Sequence, residues 1–156
     1  MFTVEMFDKR VESLWKSQQR MAAARYWKTG KRAGTIRKPA APLFFDRSML
    51  REWIWSRVGR SAIQCPYCGV PIDILSLTID HRTPRLADGE FALDNMVCCC
   101  KDCNQRKGGL SHQAFLSLLN LSLTFTCYDR LIFLDQLKAA HSGSRQRFWR
   151  DKDVDG

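Results

Sequence analysis

Asp80 and His81 stand side by side, Asn95 and Asn104 follow, and all four lie between or beside two cysteine pairs. The first pair is Cys65 and Cys68, in Cys65-Pro66-Tyr67-Cys68-Gly69, and the second is Cys100 and Cys103, in Cys100-Lys101-Asp102-Cys103-Asn104. Two Cys-x-x-Cys pairs about 30 residues apart supply four thiolates for a tetrahedral Zn²⁺, and four thiolates leave no open position for water, so such a site is structural. The carboxylate, imidazole and two amides suit a different task. Oxygen ligands hold a hard divalent cation, and an imidazole that titrates near neutrality takes a proton from water. A cation beside a proton acceptor is what hydrolysis of an anionic phosphodiester needs.

Each residue has an ordinary reading when taken alone. Asp-His is a common surface pair, Asn95 reads as a turn residue, and Asn104 as a helix residue. A cysteine frame by itself is shared with zinc ribbons that only bind nucleic acid or protein. Their joint placement favours chemistry. Cys98 and Cys99 precede Cys100, and Cys99 would give a three-residue gap to Cys103 that zinc sites also tolerate, although Cys100 fits the two-residue gap. Cys127 stands apart and is expected to be a buried thiol.

The elements that must hold these residues follow from periodicity. Ile74 to Ile79 is rich in β-formers and predicts a strand, Thr83 to Gly89 a loop, Asn95 to Cys99 a second strand, and Lys101 to Lys107 a short helix ended by Gly108-Gly109. Upstream, Val4, Phe7, Val11, Leu14, Trp15, Met21 and Tyr26 predict an amphipathic helix over Val4 to Tyr26. Residues 29–42 read as a linker with Gly, Pro and basic residues. Asp46 is placed to cap a helix ending near Gly59, with Leu50, Trp53, Ile54 and Val58 inward. Trp55 lies off that stripe and either packs on the first helix or stacks on a nucleotide, packing being favoured. Downstream, Ser111 caps a helix carrying Phe115, Leu116, Leu118 and Leu119. Another runs from Tyr128 to Ala140 with Leu131, Ile132, Leu134 and Leu137 inward, and Ser142 to Gly156 reads as a polar, frayed tail. The expected organisation is a basic helix and linker over 1–42, a core with flanking helices over 43–141, and a tail over 142–156.

Strand, Asp80-His81, loop, Asn95, strand, then a helix with Asn104 is a ββα order, and the segment resembles an HNH nuclease. The resemblance rests on Cys65-Pro66-Tyr67-Cys68-Gly69, Ile79-Asp80-His81-Arg82-Thr83-Pro84, Leu93-Asp94-Asn95-Met96-Val97, and Cys100-Lys101-Asp102-Cys103-Asn104-Gln105-Arg106-Lys107-Gly108, about a third of the chain. It implies an α+β fold: a ββα-metal core stapled by a four-cysteine zinc site and flanked by helices. It implies His81 as general base, Asp80 and Asn104 as ligands of one Mg²⁺ or Mn²⁺, and Asn95 as the brace of the loop that aims His81. The third motif position is Asn104 rather than His, and an amide ligand leans toward Mg²⁺ or Mn²⁺ over softer metals. His112 is read as an early residue of the next helix rather than as a metal ligand.

The chain carries a net charge of +9, and it is unevenly placed. Residues 1–60 hold 14 Lys/Arg against 5 Asp/Glu, whereas residues 61–156 hold 11 against 11. A one-sided basic segment points to a polyanion, most simply DNA; the alternative is a solubilising arm. Arg82, Lys101, Arg106, Lys107, Lys31, Arg32, Arg37 and Lys38 are the candidate phosphate contacts, although the three near the short helix equally fit its solvated face. Seven cysteines without an export signal favour metal binding in a reducing, cytoplasmic setting over disulfides. No stretch approaches the ~20 apolar residues of a membrane span.

The expected function is a metal-dependent DNA endonuclease, in the phage, mobile-element or bacterial defence settings typical of the resemblance. The first rival is a catalytically silent, zinc-stapled nucleic-acid-binding module. The second is a protein-interaction role, in which the N-terminal helix docks a larger DNA-processing complex or a second copy of the chain.

Overall fold

The structure is a computed structural model that describes residues 2–32, 41–58 and 63–150, with the side chains of 24–32, 86 and 141–150 left aside. It is an α+β fold with, among the described residues, five α-helices and two small antiparallel sheets. In chain order the elements are α1 (Val4–Arg32), α2 (Arg47–Val58), β1 (Ile63–Gln64), β2 (Pro71–Ile72), β3 (Thr78–His81), β4 (Met96–Cys99), α3 (Lys101–Lys107), α4 (His112–Ser122) and α5 (Cys127–Arg150). Short 3-10 turns at Arg85–Ala87 and Leu93–Asn95 interrupt the connection from β3 to β4.

Helix α1 builds the core rather than standing off as an arm. Phe7 and Val11 are completely buried, and Leu14, Gln18 and Ala22 continue the same stripe. Trp55 of α2 packs edge-on against Phe7 at 5.0 Å, so the packing alternative holds for it. Ion pairs Asp8–Arg51 at 2.7 Å and Glu12–Arg47 at 2.9 Å flank the α1–α2 seam. The guanidinium of Arg10 donates to the carbonyl of Leu77, just before β3. The apolar stripe that suggested a partner surface is therefore buried within this chain at Phe7, Val11 and Leu14. Phe7→Ala is expected to lower stability by about 3–5 kcal/mol, because a fully buried aromatic leaves a cavity that neighbours only partly fill; a urea titration followed by circular dichroism measures it.

Several element boundaries differ from the sequence expectation. α1 continues through Thr29 and Gly30 to Arg32, since one glycine costs a helix only about 1 kcal/mol and need not end it. The expected strand over Ile74 to Ile79 begins instead at Thr78. Asp73 Oδ1 accepts from the backbone amides of Leu75 at 2.7 Å and Ser76 at 2.8 Å, which winds those residues into a turn. Asn95 ends a 3-10 turn, and β4 starts one residue later. α5 runs on to Arg150, into the segment 142–156 expected to fray, of which residues 151–156 lie outside the described residues. Its inward stripe is Phe133, Leu134 and Leu137, whereas Leu131 and Ile132 are exposed. Cys127, expected to be buried, is exposed in the first turn of α5, where Thr126 Oγ1 caps the helix by accepting from Asp129 N–H and donates to Asp129 Oδ2. Asp46 and Ser111 cap α2 and α4 through Met49 N at 2.8 Å and Ala114 N at 3.1 Å. Among the described residues, no helix is long and apolar enough to cross a membrane.

Candidate active site

Cys65 follows β1 and opens a tight knuckle. Its backbone N–H donates to the Val70 carbonyl and its carbonyl accepts from Gly69 N–H, both at 2.8 Å. Gly69 closes the turn at φ +72°, a conformation side chains disfavour. Across from it, Cys100 is the N-cap of α3 and Cys103 lies in the first turn of that helix. The two segments bring the sulfurs of Cys65, Cys68, Cys100 and Cys103 within 4.8 Å of one another. The Cys68–Cys100 separation is 3.8 Å. A tetrahedral ion with Zn–S bonds of about 2.3 Å has sulfur–sulfur edges of about 3.8 Å, so the cluster fits zinc. The Cys103 thiol beside Cys65 pulls the Cys65 pKa down to about 4, against the opposing effect of burial. Cys98 and Cys99 differ: burial pushes Cys98 up to about 12 and raises Cys99 as well. Cys99 is fully buried in β4, with its sulfur 3.6 Å from Thr78 Oγ1 rather than in the cluster.

Strands β3 and β4 pair Thr78 with Cys99, Ile79 with Cys98, Asp80 with Val97 and His81 with Met96. Alternation along β3 sends Thr78 and Asp80 to the face covered by α3, and His81 to the other. Asp80 is 5% exposed, and both of its oxygens are engaged. Oδ2 accepts from the hydroxyl of Tyr67 at 2.6 Å, and Oδ1 accepts from Lys107 Nζ at 2.9 Å. The same ammonium donates to the His81 carbonyl at 2.8 Å. Lys107 is completely buried, so the reading of it as part of the helix's solvated face is corrected. The ββα packing draws its stem inward because a carboxylate in this interior requires a cationic partner. Burial and the Asp80 carboxylate both raise the Tyr67 pKa, so its proton stays on the phenol.

His81 sits at the end of β3, with its ring edge-on to Phe91 at 5.0 Å. The loop that follows is held by Asn95. Its Oδ1 accepts from Thr83 N at 2.9 Å, and its Nδ2 donates to the carbonyls of Thr83 at 3.2 Å and Glu90 at 2.9 Å. Arg82 N donates to the Asn95 carbonyl at 2.8 Å, closing the same loop from the backbone side. Gly89 makes this closure possible: a Cβ there would lie 1.9 Å from the Thr83 carbonyl oxygen. Gly89→Ala is expected to displace Thr83 from Asn95 and to destabilise the fold by about 1–3 kcal/mol, as overpacking against backbone does, with a lowered thermal midpoint as the readout.

Asn104 projects from α3 toward β3, and its Nδ2 donates to Thr78 Oγ1 and the Ile79 carbonyl, each at 3.2 Å. Its Oδ1 is the branch suited to a cation. The structure thus gathers Asp80 and Asn104 on the α3 side of β3, and His81 and Asn95 around the loop beyond it. His112 joins this group without joining the cysteines. Its Nδ1 is 3.0 Å from the Tyr67 hydroxyl, and its backbone N–H donates to the Arg82 carbonyl at 2.8 Å. Tyr67, which bonds Asp80, and His112, which bonds Tyr67, were not assigned to the site from sequence, and Lys107 was read there only as a phosphate contact or solvated residue. In the sequence Tyr67 is simply one of the two residues between Cys65 and Cys68.

The remaining basic residues are dispersed. Arg82 and Lys101 are exposed, and Arg106 lies 3.7 Å from Asp135 of α5. Lys31 and Arg32 belong to the last turn of α1 with side chains outside the described residues, as are Arg37 and Lys38 altogether.

Residues 65–109, which hold the β3–β4–α3 unit and the four cysteines, match the HNH endonuclease family. A stretch of 57 residues is 40% identical to the CRISPR-associated endonuclease Cas9 of Corynebacterium diphtheriae. That stretch covers 36% of this chain and 5% of the Cas9 chain.

Proposed function

We propose that this chain is a metal-dependent endonuclease that hydrolyses DNA phosphodiester bonds. The observation that carries the reading is the HNH match over residues 65–109 falling on a ββα unit that gathers Asp80, His81 and Asn104. Asp80 and the Oδ1 of Asn104 would hold Mg²⁺ or Mn²⁺, hard ions that accept few protein oxygens and keep other positions for phosphate and water. Such an ion supplies charge neutralisation at the phosphate and the leaving oxygen. His81 acts as general base on a water, and its side chain leaves β3 on the face opposite Asp80. Placing base and cation on opposite sides suits in-line displacement at phosphorus. His81 is 6% exposed against Phe91, so taking a proton from a phosphate-bound water requires a side-chain shift when substrate binds. Asn95 holds the loop that carries this geometry. Arg82 and Lys101 contact phosphates, which positions the duplex without reading its sequence. The four cysteines would hold a structural Zn²⁺.

The test is incubation of the purified chain with supercoiled plasmid and Mg²⁺ or Mn²⁺. Conversion to the nicked form, abolished by a metal chelator and restored by Mg²⁺, is the expected result. An intact plasmid under all metals, with DNA retained on a gel, would instead favour the silent binding module.

A further inference from the structure

Tyr67 belongs to two structures at once. It lies between Cys65 and Cys68 of the knuckle, and its hydroxyl reaches into the catalytic face of β3. We propose that Tyr67, itself set by His112, is a positioning residue that fixes the Asp80 carboxylate for cation binding and thereby ties the catalytic centre to the cysteine knuckle. This rests on the reading of Asp80 as a metal ligand.

The hydrogen-bond directions are determined by counting protons. Tyr67 has one proton, and it goes to Asp80 Oδ2 at 2.6 Å. The Tyr67 oxygen is then an acceptor, so the His112 Nδ1 at 3.0 Å must carry hydrogen. In a neutral ring that leaves Nε2 as an acceptor, and it faces Arg82 Nη1 at 3.5 Å. Burial first, and Arg82 next, hold the His112 pKa below its usual value, in keeping with a neutral ring. The Tyr67 ring is fixed by an edge-on contact with Phe115 at 5.0 Å, so the hydroxyl has little freedom. With Tyr67 on Oδ2 and Lys107 on Oδ1, the carboxylate plane is held from both ends. Each oxygen retains a second lone pair, so neither hydrogen bond has to break for a cation to be held. Outer partners of this kind typically change metal affinity or activity by about 10–100-fold when removed.

The experiment compares the full chain with Tyr67→Phe, which keeps the ring and its packing. Zinc content and thermal midpoint report the knuckle and the fold. Mn²⁺ binding followed by electron paramagnetic resonance reports Asp80 without relying on turnover. Expected for Tyr67→Phe are unchanged zinc content and Mn²⁺ binding weakened by about 10–100-fold, with nicking recovered at raised Mn²⁺. ¹⁵N NMR should place hydrogen on His112 Nδ1 in the parent chain. His112→Asn keeps a donor near the Nδ1 position and should bind Mn²⁺ as the parent does, whereas His112→Ala should follow Tyr67→Phe. An unchanged Mn²⁺ isotherm in Tyr67→Phe, with a parent that nicks plasmid, would overturn this inference and leave the nuclease reading intact. A parent that neither binds Mn²⁺ nor nicks would overturn both. Loss of zinc from Tyr67→Phe would also overturn it, by assigning the tyrosine to the knuckle alone.

Discussion

His81→Ala is expected to lower plasmid nicking by about 10²–10⁴-fold, the range for removing a general base. Folding and DNA retention should persist. Alanine fits the end of β3, and the backbone pairing of His81 with Met96 and the Lys107 bond to its carbonyl do not depend on the imidazole. The ring's contact with Phe91 is lost, so a modest fall in stability is expected alongside the kinetic effect. The informative comparison is at a temperature where both proteins are folded by circular dichroism. Nicking within a few-fold of the parent there would remove His81 from the mechanism and direct attention to His112. Asp80→Ala should fail differently. It leaves the Lys107 ammonium buried with no carboxylate, a change of the kind that costs about 3–5 kcal/mol, so its loss of activity would mix metal binding with stability. His81→Ala is for that reason the cleaner test of the chemistry.

Removing the metal from the cysteine cluster is expected to unfold or loosen the ββα core. Structural Zn²⁺ in small thiolate sites contributes apparent binding free energies of about 10–16 kcal/mol near neutral pH, more than most domains have in total stability. Here the four sulfurs join the β1–β2 knuckle to the start of α3. With the ion gone, adjacent thiolates repel or take up protons, and the knuckle loses its hold on α3. Metal analysis should find one zinc per chain in active protein. Prolonged treatment with a strong chelator should then reduce helical signal and nicking together. Cys100→Ser is expected to release the zinc, whereas Cys99→Ser should keep it, because the Cys99 thiol is buried beside Thr78 and away from the other sulfurs. Zinc retained by Cys100→Ser and lost from Cys99→Ser would shift the ligand by one position. Active protein free of zinc would refute the site.

Cys65, Cys68, Cys100, Cys103, Asp80, His81, Asn95 and Asn104 stand out in the sequence as candidates because the chemistry proposed for them depends on residue type at short spacing, and the structure brings the four cysteine sulfurs together. A Cys-x-x-Cys knuckle, a strand ending in Asp-His and a short helix closed by glycines are local devices, each specified by neighbours a few residues away. The α+β class followed from the same local order. The apolar periodicity of α1 was equally plain, but periodicity states only that a face is buried, not against what. Only the tertiary structure puts Phe7 against Trp55 of α2 and buries Val11 in the core. Charge was the least reliable guide at Lys107. A lysine in a basic helix looks solvated until the fold sets a buried carboxylate 2.9 Å from its ammonium. Tyr67 and His112 were hidden for the same reason. Tyr67 meets Asp80 across 13 residues of chain and His112 across 45, so no short window of sequence holds the whole contact. Residue type and spacing determined which groups are candidates for chemistry. Which of them are buried, paired and aimed was decided by long-range packing, because a carboxylate's partners are whatever the folded chain brings within hydrogen-bond reach.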